Sequence, residues 1–191
     1  MCLDEAQTRG PTVRSLRESS EAPLSIGRNV MDLLDRLVGH DAWTTHQVLL
    51  LCQNLTDEQL DREFEIGHRT VRATLLHIIW NMEVWTDLMS GQAVRTSQGR
   101  SVSSMIERLG RASADLARLA RAVAKRGGWD ERFVDSLDTP PAEKTYGGGI
   151  AHVITHSMHH RAQLLYLLRR LGVEGLPEGD VLCWEQQVGP S

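Results

Sequence analysis

The sequence contains few cysteines, and their placement excludes two classes of protein. Cys2, Cys52 and Cys183 are odd in number and widely separated. They form neither a CxxC pair nor the framework of a small disulfide-stabilised secreted domain. We therefore expect a cytoplasmic protein whose thiols stay reduced.

Long apolar runs are also missing. The longest, at residues 48–52 and 75–80, are far shorter than the roughly 20 residues that a membrane-spanning helix needs. The first 27 residues are polar and lack the apolar stretch of a secretory signal. The sequence therefore predicts neither a membrane span nor an exported product.

The chain has no excess of positive charge. It carries 21 basic and 25 acidic side chains, for a net charge of −4, so no general attraction to nucleic acid or anionic lipid is expected. Cationic residues do cluster in one predicted helix, interleaved with Glu107 and Asp115 opposite its apolar stripe. This pattern predicts a solvated face. The cluster consists of Arg108, Arg111, Arg118, Arg121 and Lys125.

Helical periodicity, by contrast, is present along most of the chain. Apolar residues recur at three- and four-residue steps in four segments, at about 30–54, 70–89, 102–125 and 148–171. Residues 56–59 (TDEQ) have the pattern of a capping box. Strand signals are weak throughout. The sequence predicts an all-α four-helix bundle at 29–185, preceded by a flexible leader at 1–28 and followed by a tail at 186–191.

The connection at 127–147 is too apolar to be a simple linker. It contains Trp129, Phe133 and Val134, so we expect it to cross one end of the bundle and pack its aromatic residues there.

Four of the eight histidines fall within nine residues, at His152, His156, His159 and His160. Residues four apart on a helix are rotated by a net angle of about 40° and lie about 6 Å apart along the axis. His152, His156 and His160 therefore form one ridge. His156 and His160 have the HxxxH spacing that lets two imidazoles reach one metal ion.

A third ligand must come from elsewhere, and His77 is the natural candidate. It belongs to a stripe that should face the core, where an unpaired imidazole would be costly. The alternatives are a core histidine bonded to a neighbour and an HxxxH pair that occurs by chance. The stripe is Ala73, Leu76, His77, Trp80, Val84 and Leu88.

The other histidines carry weaker signals. His152 and His159 are candidates to support the ligands from behind, the alternatives being packing for His152 and surface exposure for His159. His40, His46 and His68 lack a partner pattern, which predicts surface or cap positions.

Several motifs together resemble the DinB/YfiT-like metalloenzymes over about residues 29–185. Residues 70–77 (TVRATLLH), followed by Trp80, Glu83 and Trp85, resemble the second helix of that family. Residues 152–164 (HVITHSMHHRAQL) resemble its signature helix. Residues 41–46 (DAWTTH) and 171–173 (LGV), with Asp180 near Trp184, also fit.

The resemblance implies an up-down-down-up four-helix bundle, often a homodimer, with a divalent metal on three histidines that correspond to His77, His156 and His160. Zinc, nickel or manganese would be the ion. Some relatives are S-transferases that use bacillithiol or a glutathione-like thiol, and mycothiol-dependent maleylpyruvate isomerase has a related domain. Two departures are Ala162, where the family often has glycine, and the run of glycines at 147–149 in place of a capped helix start.

Three neutral imidazoles leave a coordination position for water or for a thiol. Water predicts a hydrolase. A thiol predicts a transferase acting on small electrophiles, and since neither Cys52 nor Cys183 is suitably placed, the thiol must be a small molecule. Arg72 and Arg161 are available to bind its carboxylate.

A third alternative is a non-catalytic bundle that keeps the metal for stability, which a fourth protein ligand would favour. Glu83 is rotated off the ligand face, so its expected role is structural. Expected partners are a small substrate and a second copy of the chain, without membrane or nucleic acid.

Overall fold

The computed structural model describes residues 31–96 and 98–188, and the leader predicted at 1–28 lies outside them. Within these ranges the protein is mostly helical, with one small sheet, and no helix is both long and apolar enough to cross a membrane. In chain order the elements are α1 (Leu33–Cys52), α2 (Asp57–Leu60), α3 (Val71–Met89), α4 (Val102–Arg126), β1 (Arg132–Asp135), β2 (Ala142–Thr145), α5 (Tyr146–Arg170) and α6 (Val181–Val188).

The helix ends follow local sequence signals. The predicted capping box is present, because Thr56 and Gln59 bond reciprocally at the start of α2. Gly127 ends α4 in the left-handed conformation at φ 67°. The predicted start of α5 was wrong by two residues. Thr145 caps this helix by accepting a hydrogen bond from the backbone N–H of Gly148 at 3.1 Å.

The apolar stripe of α4 is buried largely as predicted, and Met105, Leu109, Ala112, Leu116 and Val123 all lie in the core. The stripe predicted for α3 was wrong in phase. The core face of α3 carries Leu75, Ile78, Ile79 and Met82, each almost fully buried. The opposite side of α3, which carries His77, is only half-buried along its first turns, although Val84 and Leu88 further along it are buried. The phase was ambiguous because α3 is apolar on nearly all sides.

The connection between α4 and α5 forms an antiparallel hairpin, which the weak strand signals did not predict. β1 pairs with β2 from Arg132 opposite Thr145 to Asp135 opposite Ala142. Phe133 is buried against Trp85 and Tyr146, with ring centroids 6.2 and 5.4 Å away. The predicted aromatic packing is therefore carried by Phe133.

The segment after α5 packs against α1. Trp184 of α6 is buried over Gly39, where an added Cβ would lie 2.8 Å from the indole ring. His40 is also buried, and its Nε2 lies 2.9 Å from the carbonyl oxygen of Gly179. The surface position predicted for His40 was wrong, because this later segment covers it.

The packing of the long helices sets the location of the site. α3 lies against both α4 and α5, and α1 lies against α4, α5 and α6. The helix that carries His77 is thereby brought against the helix that carries the HxxxH pair. The up-down-down-up order stays a prediction.

Candidate metal centre

Three histidine rings meet where α3 faces α5. The ring centroids of His77 and His156 are 4.9 Å apart, those of His77 and His160 are 4.7 Å apart, and those of His156 and His160 are 4.5 Å apart. The Nε2 atoms of His77 and His156 are separated by 3.3 Å. Two nitrogens bound to one tetrahedral ion at roughly 2.1 Å would lie about 3.4 Å apart. The three histidines that the sequence predicts as ligands therefore lie together. Their role as metal ligands stays a prediction.

A fourth histidine, His68, joins the cluster from the loop between α2 and α3. Its ring centroid lies 3.8 Å from that of His77 and 5.0 Å from that of His160. One ring nitrogen from each of His68, His77 and His160 falls within 4.8 Å of the others, so these three could hold a metal ion. His68 is exposed, in keeping with the surface or cap position predicted for it, but that prediction did not include its approach to His77 and His160. A loop residue has no helical register to reveal its neighbours.

The electrostatics of the cluster suit metal binding. Burial and the neighbouring histidines lower the pKa of both His77 and His156 from 6.5 to about 4. Both rings are therefore neutral at pH 7, the form that ligates a metal. The Nδ1 atom of His156 is also buried without a hydrogen-bond partner among the described residues. Neutral imidazoles fit a borderline divalent ion such as zinc or nickel.

Gln163 orients His160 through the ring nitrogen that is not offered to the metal. Nδ1 of His160 donates to Oε1 of Gln163 at 2.9 Å, and the amide nitrogen of Gln163 lies 3.0 Å from Nε2 of His159. With Nδ1 protonated, the lone pair of His160 is on Nε2. His159 thus contacts Gln163 and also His160, whose ring centroid lies 5.0 Å from that of His159. His152 packs between Trp85 and His156, with centroids 4.9 and 5.0 Å away.

Gln163→Ala should weaken metal binding without unfolding the protein. Loss of a partner that orients a metal-bound histidine typically costs about 10- to 100-fold in affinity. We expect the zinc dissociation constant, measured by competition with a chromogenic chelator, to rise within that range. Gln92→Ala is the matched control, because Gln92 is an exposed residue after α3. Equal affinities for the two variants would show that Gln163 does not support the site.

A cavity of about 560 Å³ opens beside His77. Trp80 forms part of its wall and is 46% exposed, so this side chain lines the cavity rather than the core. His77 is therefore the histidine of the cluster that a small molecule in this cavity would contact. The lining consists of Leu76, His77, Trp80, Gln98, Gly99, Arg100 and Arg108.

The two arginines of this cavity have different environments. Arg108 is only 5% exposed, and Nε and Nη2 bond the carboxylate of Glu83 at 3.1 and 2.7 Å. The solvated position predicted for Arg108 was wrong, because residue 108 follows Met105 by three positions and borders the stripe. The structural role predicted for Glu83 fits this pair. Arg100 is exposed, and its guanidinium has no ion-pair partner within 31–96 and 98–188.

The arginines suggested by sequence for a substrate carboxylate are engaged elsewhere. Arg72 bonds Asp57 and Asp61, tying α2 to α3, and Arg161 bonds Asp41 of α1. Arg100 is the cavity residue that sequence reasoning missed, because a loop residue outside every helical stripe carries no signal of its position.

Neither Cys52 nor Cys183, the two cysteines within 31–96 and 98–188, supplies a nucleophile at this site. Burial raises the pKa of Cys52 to about 12, so this thiol stays protonated at neutral pH. Cys183 lies in a separate groove lined by Trp43 and Leu176.

Comparison with known families gives one match. The model of the family described as "DinB family" matches residues 29–182, which covers most of the chain, the histidine cluster and the cavity. The comparison with curated proteins finds no match.

Proposed function

The chain belongs to the DinB family, and from this premise we propose that it is a metal-dependent enzyme with a divalent ion on His77, His156 and His160. The observation that carries the proposal is the opening of the histidine cluster, through His77, into a cavity of about 560 Å³. A purely structural metal would have no need of such access. Zinc, nickel or manganese is the expected ion, in an up-down-down-up four-helix bundle that forms a homodimer.

Bound there, the ion would supply a Lewis acid that lowers the pKa of a coordinated water or thiol. The protein's own residues would do the rest. Trp80 and Leu76 offer an apolar wall for the body of a small electrophile, and Arg100 offers a cation to an anionic group. Arg108 is held by Glu83 and so shapes the wall rather than binding the substrate.

We favour a thiol-dependent S-transferase over a hydrolase because of the charge of the cavity. Low-molecular-weight thiols of the glutathione class carry carboxylates, which an exposed arginine recognises well. Since Cys52 stays protonated and Cys183 lies elsewhere, the nucleophilic sulfur would come from the small molecule. A metal-dependent hydrolase is the second candidate. A non-catalytic, metal-stabilised bundle is the third, and the approach of His68 is the observation on its side.

One assay separates these candidates. Metal-loaded protein is given 1-chloro-2,4-dinitrobenzene with and without glutathione, bacillithiol or mycothiol, and separately given 4-nitrophenyl acetate. Thiol-dependent turnover that His77→Ala abolishes supports the transferase. Ester hydrolysis without thiol supports the hydrolase. If protein shown to contain its metal turns over neither the chlorodinitrobenzene nor the ester, both enzyme candidates are contradicted for these reagent classes. That result favours the binding bundle.

Arg100→Glu should raise KM for an acidic thiol. A hydrogen bond to a charged group is worth about 1.5–3 kcal/mol, so we expect KM to increase by roughly tenfold or more, with metal content unchanged. Arg111→Glu is the matched control, because it makes the same charge change at an exposed position of α4. Equal KM values for the two variants would assign the anion site to other residues.

A further inference from the structure

We infer that His68 is a fourth imidazole ligand of the metal, carried by a loop and displaced when an outside ligand enters. The inference rests on the proposed metal site and adds a ligand that neither the helical pattern nor the family resemblance supplies. It makes the resting centre a four-histidine site.

The first argument is the position of the His68 ring. It lies closer to His77 than any other histidine of the cluster, at 3.8 Å between centroids, with the planes inclined by 33°. Its contact with His160 places it over both helices that carry ligands. Because the nitrogens of His68, His77 and His160 already lie within 4.8 Å of one another, small shifts would bring them to the spacing of about 3.4 Å around one tetrahedral ion.

The second argument is that hydrogen bonds and packing fix the backbone conformation of the loop that carries His68. The Phe64 N–H donates to the carbonyl of Arg69 at 2.8 Å, and the Arg69 N–H donates back to the carbonyl of Ile66 at 2.9 Å. Arg69 also has a positive φ of 71°. Phe64 and Ile66 pack against the core. The loop therefore holds His68 over the cluster.

The third argument is direct contact between this loop and the support of His160. At Gly67, which has φ +50°, an added Cβ would lie 2.3 Å from Oε1 of Gln163. That same oxygen accepts the hydrogen bond from Nδ1 of His160. The backbone next to His68 thus packs on the residue that orients a helical ligand, so the loop and the centre are assembled together.

The location of His68 makes it the ligand that leaves. His77, His156 and His160 sit within α3 and α5, whose backbones are fixed by helical hydrogen bonds and core packing. His68 sits between two elements, so its side chain can rotate away from the centre without breaking a helical hydrogen bond. An entering donor would take its position, which reconciles a fourth protein ligand with an enzyme.

The test uses the full chain loaded with Co²⁺, whose visible absorption bands report the donor atoms. We compare wild type, His68→Ala and His68→Gln, with His46→Ala on α1 as the matched control. We expect the bands of both His68 variants to shift as water replaces an imidazole, and free imidazole to return those of His68→Ala to the wild-type position. The Co²⁺ dissociation constant should rise by about tenfold in both His68 variants, less than for loss of a helical ligand, because His68 is the ligand that leaves.

Azide provides a second readout. If His68 occupies its position in about nine molecules of ten, the apparent affinity of wild type for azide is reduced about tenfold relative to His68→Ala. Circular dichroism verifies that the variants are folded. If His68→Ala does not fold, the comparison is made with His68→Gln. Bands and affinities identical to wild type in a folded His68 variant would overturn the inference. If His77→Ala still abolished Co²⁺ binding in that case, the proposed metal site would stand.

Discussion

His156→Ala is expected to lose its metal under conditions in which wild type retains about one zinc ion per chain. His156 belongs to the HxxxH pair, and its Nε2 lies 3.3 Å from that of His77. Removing a direct ligand should weaken affinity by more than the roughly 100-fold upper range for a supporting residue. The measurement is metal content by plasma mass spectrometry after equilibrium dialysis against a buffered chelator.

The control and a double variant make this result specific. His46→Ala should keep its zinc, because that residue lies on α1. The double variant His156→Ala/His160→Ala removes both proposed ligands of α5. It should lose the metal even at low chelator concentrations. Metal content unchanged in both variants would show that the ion is not held by this pair.

Arg161→Met is expected to destabilise the fold by about 3–5 kcal/mol, the range for removing one partner of a buried ion pair. The Asp41 side chain is 1% exposed and that of Arg161 is 4% exposed. Burial raises the pKa of Asp41, and the Arg161 guanidinium opposes that shift. Arg161 also lies 3.2 Å from the Thr45 hydroxyl. Without the guanidinium, the Asp41 carboxyl would remain buried with no counter-charge.

Urea denaturation of the metal-free protein measures the loss, so that changes in metal binding do not contribute. Asp41→Leu combined with Arg161→Met is the informative partner variant, because replacing both members of a buried pair with apolar residues is often close to neutral. We expect the double variant to recover most of the stability. A loss below about 1 kcal/mol for Arg161→Met alone would mean that water or another group reaches Asp41.

Much of the helical architecture could be predicted because periodicity and caps are local. The stripe of α4, its glycine end and the capping box of α2 are each specified by residues within a few positions of one another. The HxxxH pair is local in the same sense, since a helix fixes the relative positions of His156 and His160. The proximity of His77 to that pair needed an assumption about which helices are neighbours.

What could not be predicted depends on contacts between distant parts of the chain. The phase of α3 was ambiguous, because apolar residues lie on nearly every side of it. His40 is buried only because a segment some 140 residues later covers it. His68 and Arg100 lie in loops, where spacing along the sequence carries no angular information. The hairpin of β1 and β2 has only four residues per strand, too few for a clear alternation.

The cavity next to His77 is lined partly by helices and partly by a loop, and this division affects how the protein can evolve. The proposed ligands of α3 and α5 are fixed by the helical core, whereas the opposite wall, with Gln98, Gly99 and Arg100, belongs to the connection between α3 and α4. In the proposed enzyme, substitutions in that connection would change the preferred substrate with little effect on core packing or on the proposed metal ligands. Such a scaffold would be evolvable, since one short loop could be varied to produce new specificities while the proposed metal centre is inherited unchanged.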